Sequence, residues 1–129
     1  AAASGDGSVQ DLGESLIVQG FFGDPRFALV QDGGQRLSRL DTSGGERSVV
    51  LETRDGLLAA ASLAPGDRWI AFVLKRPSGR VALCIAPLSG RPASEAEWII
   101  LFDENRYLGS PAWSPDGNRL YYLSERNGP

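Results

Sequence analysis

The chain has no histidine, no methionine and a single cysteine among its 129 residues. Without histidine there is no Ser/His/Asp or Cys/His nucleophile system and no imidazole ligand for a metal. One thiol, Cys84, excludes an internal disulfide. It lies in "RVALCIAPL", an apolar run where a small buried thiol is expected rather than a nucleophile. There is no Gly-x-Ser-x-Gly elbow and no phosphate-binding loop. No apolar run reaches the length of a membrane span and no signal peptide is recognisable, so membrane insertion is not expected. Lys and Arg form no block, and the formal charge is −3. A mildly acidic surface repels phosphate, which argues against nucleic acid as a partner. No segment sustains an apolar period of 3.6 residues, so long helices are not expected.

What is present is globular: 42% hydrophobic and 22% charged residues, enough to bury a core. Residues 1–14 are small and polar and read as a linker or a disordered N-terminus. From Ser15 onward, short apolar runs alternate with turns of Gly, Pro, Asp and Ser. Among the runs are "RFALVQ", "SVVLE", "WIAFVL", "ALCIAP", "EWIILF" and "RLYYLS". Most carry β-branched or aromatic residues at the spacing of antiparallel strands. "LLAAASL" has helix-favouring composition, but its length and its flanking "RDG" and "APGD" favour a strand. The expected fold class is all-β.

The runs repeat. "LAPGDRWIAF" from Leu63 superposes without a gap on "WSPDGNRLYY" from Trp113, with Pro65 on Pro115 and Ile70 on Leu120. A weaker copy is "FFGDPRFALV", with Gly23-Asp24 on Gly66-Asp67 and Phe27-Ala28 on Ile70-Ala71. "RLSRLDTSGG" from Arg36 matches "ALCIAPLSGR" from Ala82, and "SVVLE" from Ser48 matches "WIILF" from Trp98. Four strands recurring at an interval in the forties of residues are the signature of propeller blades.

The chemistry of "WSPDG", Trp113 to Gly117, explains why it opens a blade. Pro115 presets the first corner of a tight turn. Asp116 accepts hydrogen bonds across it, and Gly117 supplies the positive φ that returns the chain. Trp113 is expected to fill the gap between neighbouring sheets. "RLYYLS" then puts Leu120 and Tyr122 on one face and Tyr121 and Leu123 on the other, apolar on both, as in a sheet covered on both sides.

Pro111, Trp113, Ser114, Pro115, Asp116 and Gly117, followed by Ser124, Arg126 and Gly128, resemble the repeat of TolB-type (PD40, WD40-like) β-propellers. "LAPGDRWIAF" departs from that pattern, with Leu63 for Trp and Gly66-Asp67 for Asp-Gly. The resemblance implies antiparallel four-stranded blades: one over 15–52, a second over 58–102 and half of a third over 110–124. It also implies a periplasmic or extracellular setting in preference to a cytoplasmic one.

Other candidate sites have structural readings. Asp103 and Glu104 in "FDENRY" could suggest calcium or an acid/base pair, but they lack a calcium-loop pattern and read as a solvated loop between blades. Lys75, Arg76 and Arg80 read as a solvated hairpin tip rather than an anion site. Trp69, Tyr121 and Tyr122 are the interface candidates. No catalytic, cofactor or metal site is expected. Three functional readings follow from the resemblance. The first is a non-enzymatic scaffold that binds a protein or peptide. The others are the propeller portion of a larger prolyl oligopeptidase-type peptidase, or the sensor region of a signalling protein. Two and a half blades cannot close a ring, so the outer faces are expected to be bare, with Tyr121, Tyr122 and Leu123 at risk. They would be covered by a second copy in a homo-oligomer or by further blades of a longer chain.

Overall fold

The computed structural model describes residues 16–104 and 109–122. Residues 1–14, Leu123, Ser124, Arg126 and Gly128 lie outside them. The first sheet is a meander of β1 (Leu16–Phe21), β2 (Phe27–Asp32), β3 (Arg36–Asp41) and β4 (Arg47–Glu52). The second repeats it with β5 (Leu57–Leu63), β6 (Trp69–Lys75), β7 (Val81–Pro87) and β8 (Ile99–Glu104). A hairpin of β9 (Ala112–Trp113) and β10 (Leu120–Tyr121) follows. All pairings are antiparallel. The helical element among the described residues is one 3-10 turn, Glu95–Glu97, in the β7–β8 connection.

β6 is buried along its whole interior because a sheet packs on each of its faces. On one face, Ile70, Phe72 and Cys84 meet Leu29, Leu37 and Leu51 of the first sheet. On the other, Val73 and Leu83 meet Leu120 and Tyr122 of the hairpin. Leu120 and Tyr122 thus share one face, while Tyr121 points away. On the far face of the first sheet Ala28, Val30 and Leu40 are buried, at 1%, 0% and 7% exposed, whereas Val18, paired opposite Val30, is 47% exposed.

The repeat is exact in hydrogen bonding where it is blurred in sequence. The first hairpin of each unit closes with the same bond: Phe22 N–H to Phe27 O, Ala64 N–H to Trp69 O, and Ser114 N–H to Arg119 O. Phe27, Trp69 and Arg119 are therefore counterparts, and Ala28 rather than Phe27 corresponds to Ile70. The matching Gly-Asp pairs misplaced the register by one residue because the turns differ. Asp24 O receives Phe27 N–H around Pro25, whereas Ala64 O receives Asp67 N–H around Pro65, nearer the strand. The outer strands need the same correction. Ser48 pairs with Arg39 as Ile99 pairs with Ile85, so Ile99, not Trp98, is the counterpart of Ser48. Trp98 instead ends the 3-10 turn and packs edge-on against Phe72 at 4.8 Å.

Each four-stranded sheet also carries two bulges, one on its first strand and one on its last. A bulge adds an unpaired residue and sharpens the local twist. In β5, Ala60 and Ala61 together oppose Phe72, with Ala60 at φ 52°.

Candidate functional site

The bulges free backbone groups that a regular ladder would occupy, and side chains of the neighbouring units take them. Ala61 N–H donates to Gln19 Oε1 at 3.1 Å across the junction of the two sheets. Gln31 Nε2 reaches Leu58 O at 2.7 Å. From the other side Trp113 Nε1 donates to Ser62 O at 3.0 Å. Trp113 is half-buried between the second sheet and the hairpin, held as much by this bond as by its ring.

The "SPDG" turn forms as a local network. Gly117 N–H donates to Ser114 O at 2.9 Å around Pro115, and Gly117 has φ 77°. Asp116 Oδ1 accepts from Ser114 Oγ at 2.6 Å and from Asn118 N–H at 2.9 Å. The Ser114 bond, then the Asn118 bond, holds the Asp116 carboxyl below its usual range. Among the described residues, the polar partners of Asp116 all lie in its own turn. The reversed pair Gly66-Asp67 solves the same geometric problem differently: Gly66 at φ 88° and Asp67 at φ 57° both take the left-handed region.

Asp103 and Glu104 sit in β8, not in an inter-blade loop. Asp103 is held by Arg76 at 3.0 Å and Arg80 at 2.9 Å across the β6–β7 hairpin tip. Arg76 and Arg80 of the basic cluster thereby form a strand-end clamp. Among the described residues no group of three or more metal-type ligands comes together. Burial pushes the Cys84 thiol up to about 12, which removes the thiolate a nucleophile needs. No described helix is long and apolar enough to cross a membrane. Of the interface candidates, Trp69 is 40% and Tyr121 56% exposed. Tyr122 is half-buried, its ring 5.0 Å from that of Phe102. Trp69 starts β6, Tyr121 lies in β10, and Tyr122 packs on the Val73–Leu83 cluster of the second sheet.

The opening with the chemistry of a binding site is one that the sequence did not flag. It lies between the first two sheets, at the end carrying the β1–β2 and β7–β8 connections. This groove holds about 310 Å³ and is open to solvent. Phe22, Val50 and Leu88, each backed by the main core, form its floor. Phe27 and Arg39 form one wall, Asp67 and Gly90 part of the other. The Arg39 guanidinium lies over the Phe27 ring at 4.3 Å and within 6.0 Å of Phe22. Arg26, on the outer side of Phe27 at 5.2 Å, is tied to Asp41 by bonds of 2.9 and 3.0 Å. Nothing in the periodicity marks Arg39. It projects from β3 on the face shared with Leu29 and Leu37, toward the second sheet, and the β2–β3 pairing sets it diagonal to Phe27 within one sheet.

No family model and no curated protein sequence matches the chain. Solved structures do match in shape. The tricorn protease aligns over 91% of this chain with a TM-score of 0.68 and 23% identity, and the alignment covers 11% of that protein. An oligogalacturonate lyase in complex with manganese aligns over 84%, with a TM-score of 0.63, 14% identity and 37% of its own length covered. A TolB from Agrobacterium tumefaciens aligns over 89%, with a TM-score of 0.54, 17% identity and 56% covered. The chain therefore spans a little over half of one of these proteins and much less of the others. Four-stranded antiparallel meanders stacked face to face, with the same hairpin closure in each unit, make this chain a β-propeller segment of the TolB type in fold.

Proposed function

We propose that this propeller segment is a non-catalytic scaffold that takes a protein or peptide into the groove between its first two blades. The observation that carries the reading is the groove itself. Phe22, Phe27, Val50 and Leu88 give it an apolar surface beside a charged wall, and its lining holds no nucleophile with a base beside it. Such a surface can bind and orient a chain segment without breaking a bond. Titrating a library of short blocked peptides into the full chain, with amide shifts followed by NMR and peptide integrity by mass spectrometry, tests both halves. Shifts centred on Phe22, Phe27 and Gly90 with every peptide intact are expected. Cleavage that survives rigorous purification would end the non-catalytic reading.

The alternative is a propeller that serves an enzyme centre elsewhere in a longer protein. Its support is that two of the structural neighbours are a protease and a lyase, with only 11% and 37% of their lengths covered by this fold. The two readings agree on what this segment does, which is to bind, and differ on what is attached to it.

A further inference from the structure

We propose that Arg39 makes this groove selective for an acidic side chain flanked by apolar residues on a bound peptide. The inference rests on the binding reading above and deepens it. Arg39 is exposed and forms no ion pair with any described carboxylate, unlike Arg26, Arg36, Arg76, Arg80 and Arg91. Its partners are aromatic faces: Phe27 at 4.3 Å and Phe22 at 6.0 Å. Contact with the rings uses none of the guanidinium N–H groups as hydrogen-bond donors, and these can meet a carboxylate with two parallel hydrogen bonds. It also restricts the side chain before ligand arrives, so less rotamer freedom is lost on binding.

The other charges of the groove are already engaged. Asp67 lies on Gly23 N–H at 2.9 and 3.1 Å, and Asp24 accepts from Arg26 N–H at 3.0 Å. Arg91 is paired with Glu97 at 2.8 and 3.0 Å. Asp24 and Asp67 repel a second anion, which confines a ligand carboxylate to the Arg39 side. The apolar floor of Phe22, Val50 and Leu88 then receives the neighbouring side chain. A terminal carboxylate is usually recognised by a nest of free backbone N–H groups. Around Phe22 and Phe27 the N–H of Gly23 and Arg26 are donated within the protein, which leaves the Arg39 guanidinium as the donor on that wall.

The probes are acetyl-Leu-Glu-Leu-amide, its Gln counterpart and acetyl-Leu-Leu as the free acid, titrated into the full chain by NMR. The Glu peptide is expected to bind about fivefold more tightly than the Gln peptide, the scale of one exposed but well-oriented ion pair. Raising the salt should shrink that ratio. In R39Q the ratio is expected to fall to one while groove shifts persist, and R39K should recover only part of it. Equal binding of the Glu and Gln peptides, or an undiminished ratio in R39Q, overturns the role of Arg39 and leaves the groove reading standing. Preference for the free-acid dipeptide over the Glu peptide overturns the choice of a side-chain carboxylate. Absence of groove shifts with every probe overturns both readings.

Discussion

Both carboxylate oxygens of Asp67 accept the N–H of Gly23, at 2.9 and 3.1 Å, and so tie the first turn of the second blade to the first turn of the blade before it. Asp67 does this from a left-handed backbone position, φ 57°, that most side-chain-bearing residues avoid. The bond is local to an exposed junction, so its loss should cost about 1 kcal/mol. Asp67→Ala is expected to lower the urea midpoint accordingly. Asp67→Asn keeps an acceptor and tolerates the same φ, so it should lose much less. Equal losses for the two would mean that the carboxylate link does not stabilise the junction.

Ala60 is the other described non-glycine residue with positive φ, at 52°. It sits in the β5 bulge that offers Ala61 N–H to one neighbouring unit and Ser62 O to the other. Left-handed backbone costs an L-residue about 1–2 kcal/mol, and β-branching makes it worse. Ala60→Val is therefore expected to destabilise by about 2 kcal/mol in chemical unfolding. Ala60→Gly relieves strain but loosens the unfolded chain and removes a methyl from the Val73–Leu83 cluster, so it should stay within about 1 kcal/mol of the parent. A valine variant of parental stability would show that the bulge is not formed.

Trp113 joins the second blade to the hairpin through one donor, Nε1 to Ser62 O at 3.0 Å. Trp113→Phe retains much of the ring and deletes that donor. The expected loss is about 1 kcal/mol, read as a lower melting temperature. Combining it with Gln19→Ala, which frees Ala61 N–H on the opposite side of the same bulge, should cost more or less than the sum, because the two share one deformable backbone segment. Strict additivity would show that the two junctions are independent.

The all-β class and the blade repeat were legible because the period-2 runs and the Pro-Asp-Gly turn are local signals. Register was not legible: Gly23-Asp24 looks like Gly66-Asp67, but hydrogen bonding aligns Phe27 with Trp69 and shifts the copy by one. The β7–β8 insertion hid the counterpart of Ser48 in the same way. Asp103 was read as a loop acid because "FDENRY" is polar, whereas Arg76 and Arg80 draw it into the end of β8. The groove was illegible for a deeper reason. Phe22 follows β1, Arg39 lies within β3 and Leu88 follows β7, and only the stacking of two sheets brings Leu88 to the other two.

Two half-buried, arginine-paired carboxyls give the chain an acid limb to its stability. Asp41 is held at about 2 by the hydrogen bond from Arg26, reinforced by Ser43 N–H, against an ordinary 3.8. Glu97 is held at about 2 by Arg91, reinforced by Ser94 N–H, against an ordinary 4.5. Both folded values are depressed, so the stabilisation is present above the ordinary value and is lost as pH falls toward about 2. The urea midpoint should therefore drop between about pH 4.5 and 2. Arg26→Gln and Arg91→Gln should each flatten part of that slope, and so should high salt, because the arginine of each pair is exposed to solvent. An unchanged slope in the double variant would assign the acid limb to other carboxylates.

The outer edges of the two sheets are finished differently. On β4 the bulge residue Val50 has its carbonyl met by Ala93 N–H at 3.3 Å, from the β7–β8 connection of the next blade. On β8 the counterpart is Leu101, and no described residue donates to it in this way. Ile99, Ile100 and Leu101 stand 49%, 50% and 40% exposed on that edge. An exposed apolar edge strand is a template for another strand, and lysine there is a known deterrent. The chain is expected to self-associate at high concentration through this edge. In sedimentation velocity, Ile100→Lys with Leu101→Lys should lower the average mass toward that of a monomer, while circular dichroism stays unchanged. Ile17→Lys, at an exposed position on β1, serves as the control and should leave association intact. If the parent chain is monomeric up to hundreds of micromolar, or if the β1 variant alone dissociates it, β8 is not the associating edge.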